Sequence, residues 1–254
     1  MNTTRPNGSL YTEIKNRIAT IEFGHPASNS FTSELLQRLT DELYKISGNQ
    51  EVSVIVLRSE GERAFCAGAS FDELVGISSL EEGKAFFSGF ANVINAMRSC
   101  RQPIVGRIQG KTVGGGVGLA ASTDYCMASK YAAIKLSELN IGIGPFVVGP
   151  AIERKIGLSA MSQIAIDANS FYPAEWAKQK GLFTHVFETT EELDEAVKTT
   201  AEHLCTYNTD AMREMKKVFW QGTDHWDELL AERAQTSGRL VLSHFTKEKL
   251  KGFK

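Results

Sequence analysis

The sequence lacks any C-x-x-C pair: its four cysteines, Cys66, Cys100, Cys126 and Cys205, stand far apart. In a chain of 254 residues they read as reduced, mostly buried thiols and not as a disulfide framework. Proline is scarce, with only 6 residues, so a proline-rich or low-complexity chain is excluded. Neither charge sign dominates. The 28 basic residues face 30 acidic ones, and a formal charge of −2 recruits neither nucleic acid nor an anionic membrane, so an anionic partner must be bound locally. Long hydrophobic runs are missing too. The first residues, MNTTRPNGSLYTEIKNRIAT, have no apolar core of the signal-peptide kind. The charge-free run Leu139–Ile152 is broken by Gly142, Gly144, Pro145, Gly149 and Pro150 and is too short to span a bilayer. The expectation is a soluble, cytoplasmic protein with no nucleic-acid or membrane partner. His25, His185, His203, His225 and His244 show no metal-ligand spacing, so no metal is expected.

What the chain does have is 42% hydrophobic residues and 22 glycines, enough for a sizeable globular core. Leu10–Phe23 reads as a β-hairpin around Lys15-Asn16-Arg17, and a helix is predicted from Ser33, capped by Thr32 or Ser33. A buried strand over Val52–Leu57 leads into a Gly- and Ala-rich loop from Gly61 to Ser70. A helix over Leu80–Arg98 follows, with Gly83 and Gly89 as breaks and Gly76–Gly89 as a mobile cover. The pattern continues with a strand over Ile104–Ile108, a Gly-rich turn into a helix over Gly114–Ala121, and strands near Asp124–Ala128 and Ala132–Lys135. Beyond Ala151 helices dominate: Glu191–Thr206 behind the capping-box spacing Thr189-x-x-Glu192, Thr209–Phe219 and Trp226–Leu242. Strands alternating with helices to about residue 135 predict an α/β core; the core is taken as 1–190, with 191–254 as a helical region of the same structural unit.

Several motifs nearly match and fail. Gly110-Lys111-Thr112 imitates the end of a P-loop, but Val105 stands where its first glycine belongs. Gly68-Ala69-Ser70-Phe71-Asp72 misses the last glycine of a hydrolase elbow. Gly116–Ala121 fits a relaxed dinucleotide fingerprint, which leaves an NAD(P)-dependent enzyme as one alternative. Two glycine-rich loops then remain, Ala64–Ser70 and Gly110–Gly118, each following a strand. Such loops serve close packing equally well, or they let a ligand approach free backbone N–H groups.

In order and spacing, AFCAGASFDEL (Ala64–Leu74), PIVGRIQGKTVGGGVGLAASTDYCMAS (Pro103–Ser129), KLSELNIGIGP (Lys135–Pro145) and AEWAKQKG (Ala174–Gly181) resemble the crotonase (enoyl-CoA hydratase/isomerase) superfamily. The resemblance implies an α/β spiral of ββα turns with a helical C-terminal region, assembled as a homotrimer or a dimer of trimers. It implies stabilisation of an acyl-CoA thioester enolate, with no cofactor beyond the coenzyme A of the substrate. On that reading the N–H groups of Ala69 and Gly115 form an oxyanion hole and Glu138 is the acid/base. Ala64, Cys66, Ala67, Gly68, Ala69, Gly115 and Gly142 line the substrate. Cys66 reads as a small filler close enough to the ligand to be alkylated, and Asp124 as fixing the turn into its strand. The pocket walls are expected from Phe71–Phe90 and the C-terminal helices.

The chain departs from the family pattern in three places. Where hydratases of the family carry a first glutamate, this chain has Gly118, so only Glu138, set among Ile134, Leu136, Leu139 and Ile141, remains. One carboxylate suffices to move a double bond from position 3 to position 2, whereas hydration is comfortably served by two. Ser70 replaces the usual Asp of the first loop, and the short His244–Lys254 tail replaces a longer stretch over the CoA adenine. Lys247, Lys249 and Lys251 of that tail read as solvated or as meeting CoA phosphates. GIGPFVVGPAIERKIG looks like bacterial enoyl-CoA or methylglutaconyl-CoA hydratases. Hydration of 2-enoyl-CoA or 3-methylglutaconyl-CoA, and a weakly active acyl-CoA-binding protein, therefore stay open beside the isomerase.

Overall fold

The computed structural model describes residues 7–252. The first six residues of the stretch read for a leader, and the last two of the His244–Lys254 tail, lie outside the described residues. Strands β1 (Ser9–Lys15) and β2 (Ile18–Gly24) form the expected antiparallel hairpin, with Lys15 opposite Ile18. Asn16 and Arg17 between them hold φ of 51° and 68°, as a two-residue primed turn demands. Helix α1 (Ser33–Gly48) starts where Thr32 Oγ1 accepts the Leu35 N–H at 3.1 Å, and it buries Leu35, Leu36, Leu39, Leu43 and Ile46.

The chain then winds in repeated turns. Strand β3 (Val54–Ser59) is followed by β4 (Ala64–Cys66), α2 (Phe71–Gly76) and α3 (Leu80–Ser99). The next turn is β5 (Ile104–Ile108), β6 (Lys111–Val113) and α4 (Gly115–Ser122). The third is β7 (Tyr125–Ser129), β8 (Ala133–Lys135), a 3-10 turn over Glu138–Ile141 and α5 (Gly149–Ile166). Each turn places its first strand in one sheet and its second in another. The larger sheet runs β1-β2-β3-β5-β7-β10, parallel from β2 onward, and the smaller runs β4-β6-β8-β9. Short β9 (Tyr172–Pro173), α6 (Ala174–Gln179) and β10 (His185–Phe187) close the sheets. Helices α7 (Thr190–Thr206), α8 (Thr209–Phe219), α9 (Trp226–Val241) and α10 (His244–Lys251) follow, α7 opening on the expected Thr189/Glu192 capping box. Among the described residues no helix is long and apolar enough to cross a membrane.

An aromatic cluster joins β2, β4 and α3. The Phe23 ring packs on Phe31 and Phe65 at 4.7 and 5.3 Å between centroids, and Phe31 meets Phe90 of α3 at 6.0 Å. Burying each ring contributes about 1.5–3 kcal/mol, so the first glycine-rich loop stands on a rigid floor. Two expectations are corrected here. The loop from Gly61 to Ser70 contains β4, and β6 precedes the second glycine run; both strands are three residues long. Gly83 and Gly89 do not break α3, which is continuous and begins with its own capping box of Ser79 and Glu82. A Cβ on Gly83 would stand 2.8 Å from Gly238 Cα, so the two glycines let α3 and α9 cross in contact. Gly89 meets Leu36 of α1 in the same way. These glycines bring helices together.

Candidate active site

The first loop is sewn to the segment before α1. Ala67 N–H donates to Ser28 O at 3.1 Å, Phe31 N–H to Gly68 O at 2.8 Å, and Ser70 N–H to Phe31 O at 2.7 Å. Gly68 takes a φ of +94°, which a side chain resists, and the parallel bridge of Ala69 to Phe31 is made by Gly68 O and Ser70 N–H, which leaves the Ala69 N–H out of it. In the second loop Gly114 (φ 53°, ψ −117°) donates its N–H to Lys135 O at 2.9 Å and opens α4. Gly115 is the first residue of that helix, where N–H groups lack intrahelical acceptors and the helix dipole is positive. Among the described residues no protein acceptor takes the N–H of Ala69 or of Gly115. The loops touch, since a Cβ on Gly68 would lie 3.8 Å from Gly115 N.

Glu138 begins the 3-10 turn that follows β8. A Cβ on Gly114 would stand 3.1 Å from its Oε1, so only a glycine admits the carboxylate beside the second loop. Its Oε2 is buried without a hydrogen-bond partner. Burial pushes its pKa up from 4.5 to about 7, against the pull of its own and Ser137's backbone N–H. A carboxyl group tuned to that range accepts and returns protons near neutral pH.

These groups share a cavity of about 390 Å³. Ala67, Gly68, Ala69, Gly114, Gly115 and Glu138 line its polar part. Phe71, Leu74, Phe86, Phe87 and Phe90 line an apolar part, with Ser237 of α9, as the expectation for Phe71–Phe90 and the C-terminal helices required. The sequence reading missed the wall from Asn140 through Ile143 to Val147 and Val148. Its one signal was the glycine-interrupted apolar run after Glu138. Gly115 carries no side chain because Phe90 occupies the space a Cβ would need.

Three expected residues lie elsewhere. Ala64 O accepts from Asn29 Nδ2 and Gln109 Nε2, at 2.9 and 3.0 Å, and does not line the cavity. Gly142 (φ 80°) ends the 3-10 turn, and a Cβ there would meet Thr246 Oγ1 of α10 at 2.5 Å. Cys66 is fully buried, its Sγ accepting the Gly68 N–H at 3.3 Å, and burial pushes the thiol up to about 12. The expected alkylation is thereby corrected: Cys66 is a packed, unreactive thiol behind the loop. The dinucleotide-like run Gly116–Ala121 is buried throughout, with Gly116 against Cys66 and Gly118 against Val148. Its glycines serve packing. Among the described residues no group of three or more His, Cys, Asp or Glu side chains is placed to hold a metal.

Comparison with known proteins shows the family and the fold. The family model described as enoyl-CoA hydratase/isomerase matches residues 13–253. The mitochondrial methylglutaconyl-CoA hydratase of Homo sapiens is 32% identical over 200 residues, covering 77% of this chain and 58% of that protein. The chain thus spans less than two thirds of that relative, as it does of the Mus musculus counterpart, at 63%. A probable enoyl-CoA hydratase of Rhizobium meliloti is 28% identical over 243 residues, covering 94% of this chain and 91% of that one. The crystal structure of enoyl-CoA hydratase from Bacillus halodurans shares the fold, with a TM-score of 0.88 over 96% of this chain and 99% of that one at 20% identity. The chain belongs to the enoyl-CoA hydratase/isomerase family and has its crotonase-like α/β fold.

Proposed function

We propose that this chain is an acyl-CoA isomerase that moves a double bond from position 3 to position 2 through a thioester enolate. One observation carries the reading: among the described residues that line the cavity, Glu138 is the sole carboxylate. Its carboxylate takes a proton from C2, and the electrons of that C–H bond pass into the thioester to give a dienolate. The N–H groups of Ala69 and Gly115 hold the enolate oxygen, a pair of fixed donors worth several kcal/mol. Glu138 then returns the proton at C4, the C4–H bond forms, and the double bond is left between C2 and C3. No water and no cofactor beyond the CoA of the substrate enters the balance. Gly118 stands where the resemblance to family hydratases puts their first glutamate, and Val148 Cγ1 is 2.5 Å from where a Cβ would be. An apolar side chain fills that place, which supports one-base chemistry. The reading carries with it the family's homotrimer or dimer of trimers, and a cytoplasmic location.

A second reading, hydration, is favoured by the relatives named hydratases. The test offers purified protein a 3-enoyl-CoA, crotonyl-CoA and 3-methylglutaconyl-CoA. The expected outcome is conversion of the first to its 2-enoyl isomer faster than hydration of the other two. Rapid hydration of crotonyl-CoA with the 3-enoyl substrate untouched makes the hydratase reading the right one.

A further inference from the structure

The cavity has a polar end and a closed end, and α3 measures the distance between them. At the polar end Phe90 occupies the space beside Gly115. Two turns earlier on the same helix, about 10 Å along its axis, Gly83 lies against Gly238 of α9. That crossing holds the preceding residue, Ser237, against the cavity, where it is 1% exposed. Around it Leu74, Phe86 and Ile143 of the wall pack with Val241 of α9 and Leu250 of α10. The polar groups here are already engaged. Ser237 Oγ donates to Arg233 O at 3.1 Å, and Asn140 Nδ2 to Ala168 O at 2.8 Å. Among the described residues that line the cavity, Lys135 is the sole cation, and it belongs to the other end. Its carbonyl accepts the Gly114 N–H, and its ammonium lies over the Phe171 ring.

We infer that Ser237 is the end wall of the acyl pocket and sets the substrate class: an acyl group uncharged to its tip and about eight carbons long at most. This rests on the acyl-CoA reading above and goes beyond it by naming the acyl group. An extended chain advances about 1.2 Å per bond, so about 10 Å between the oxyanion loop and Ser237 holds about eight bonds. A terminal carboxylate, such as that of a 3-methylglutaconyl group, would lie among phenylalanines. No cation or uncommitted donor stands there among the described residues, and an unpaired charge in such a place is strongly disfavoured.

The test measures affinity for saturated thioesters, which bind without turnover, by titration calorimetry. For wild type, butyryl-, hexanoyl- and octanoyl-CoA should bind progressively tighter, by about fourfold per methylene, and decanoyl-CoA should gain nothing further. Glutaryl-CoA, which ends in a carboxylate, should bind at least about a hundredfold weaker than pentanoyl-CoA of the same carbon count. Ser237→Leu should lower the octanoyl-to-butyryl preference by at least about tenfold. Decanoyl-CoA tighter than octanoyl-CoA by the same increment overturns the end wall, and so does a folded Ser237→Leu with the wild-type preference. Glutaryl-CoA bound as tightly as pentanoyl-CoA overturns the uncharged class. If Ser237→Leu does not fold, the wild-type series decides. Failure of wild type to bind any of these thioesters overturns the acyl-CoA reading, and the inference with it.

Discussion

Two acidic side chains are buried within a few turns of chain, and they are treated in opposite ways. Asp124, at the start of β7, spends both oxygens on partners. Oδ2 accepts the Ile104 N–H at 2.7 Å and faces Lys216 Nζ at 3.0 Å, while Oδ1 accepts Trp220 Nε1 at 2.9 Å. It ties β5 to the end of α8, as its expected role at the turn foreshadowed. Glu138 instead keeps Oε2 buried and unpartnered, in the cavity it shares with two backbone N–H groups that no acceptor takes among the described residues. An unmet polar group in a core is costly, and a fold keeps one where a ligand will complete it. The satisfied carboxylate holds structure; the unsatisfied one is available for chemistry.

The largest effect should come from breaking the satisfied one. Asp124→Asn leaves the Lys216 ammonium, whose side chain is 3% exposed, without its counter-charge. Losing one partner of a buried pair should cost about 3 kcal/mol and lower Tm by roughly 10 °C, measured by thermal unfolding. Turnover per folded molecule should stay near wild type. A large loss of kcat with unchanged Tm reverses the assignment of the two carboxylates.

Glu138→Gln should do the converse, lowering kcat by at least about a hundredfold with the fold retained. The amide keeps the size of the side chain and cannot take a proton at neutral pH. Full activity of this variant on every substrate removes Glu138 from the mechanism.

This division was partly legible in the sequence. The hairpin, α1, the Thr189 cap and the order of strands and helices follow from periodicity and capping, which act within a few residues of each other. Both glycine loops stand out by composition and Glu138 by the resemblance to the family, and the structure gathers them at one cavity. What sequence could not carry is tertiary. The three-residue strands β4 and β6 are too short for any period to show, and parallel pairing across distant segments creates them. Gly83 and Gly238 are half of one contact each, so α3 appeared to be broken where it is merely crossed. Val148 fills the space over Gly118 from thirty positions along the chain, and no local pattern near either residue announces it.

The wild-type pH profile sharpens the comparison further. With a base whose pKa lies at about 7, kcat/KM should rise about tenfold per pH unit from pH 5 and level off above 7. A profile flat from pH 5 to 8 places the essential base elsewhere.

The smallest effect is on stability, and its sign is diagnostic. The folded pKa of Glu138 lies at about 7, above the ordinary 4.5, so between those values the native state holds a proton that the unfolded chain releases. The contribution of this group to stability therefore falls as pH rises from 4.5 through 7, and the loss is complete above that. At pH 4 both states are protonated and no penalty applies. Glu138→Gln removes the titration altogether. Relative to wild type it should gain about 1–3 kcal/mol between pH 4 and pH 8, the lower end allowing for a residue that is only partly covered by its surroundings. Urea unfolding of both proteins at the two pH values reads the difference directly. A wild-type stability that instead increases from pH 5 to 7 relative to Glu138→Gln means that Glu138 is ionised and partnered in the resting protein.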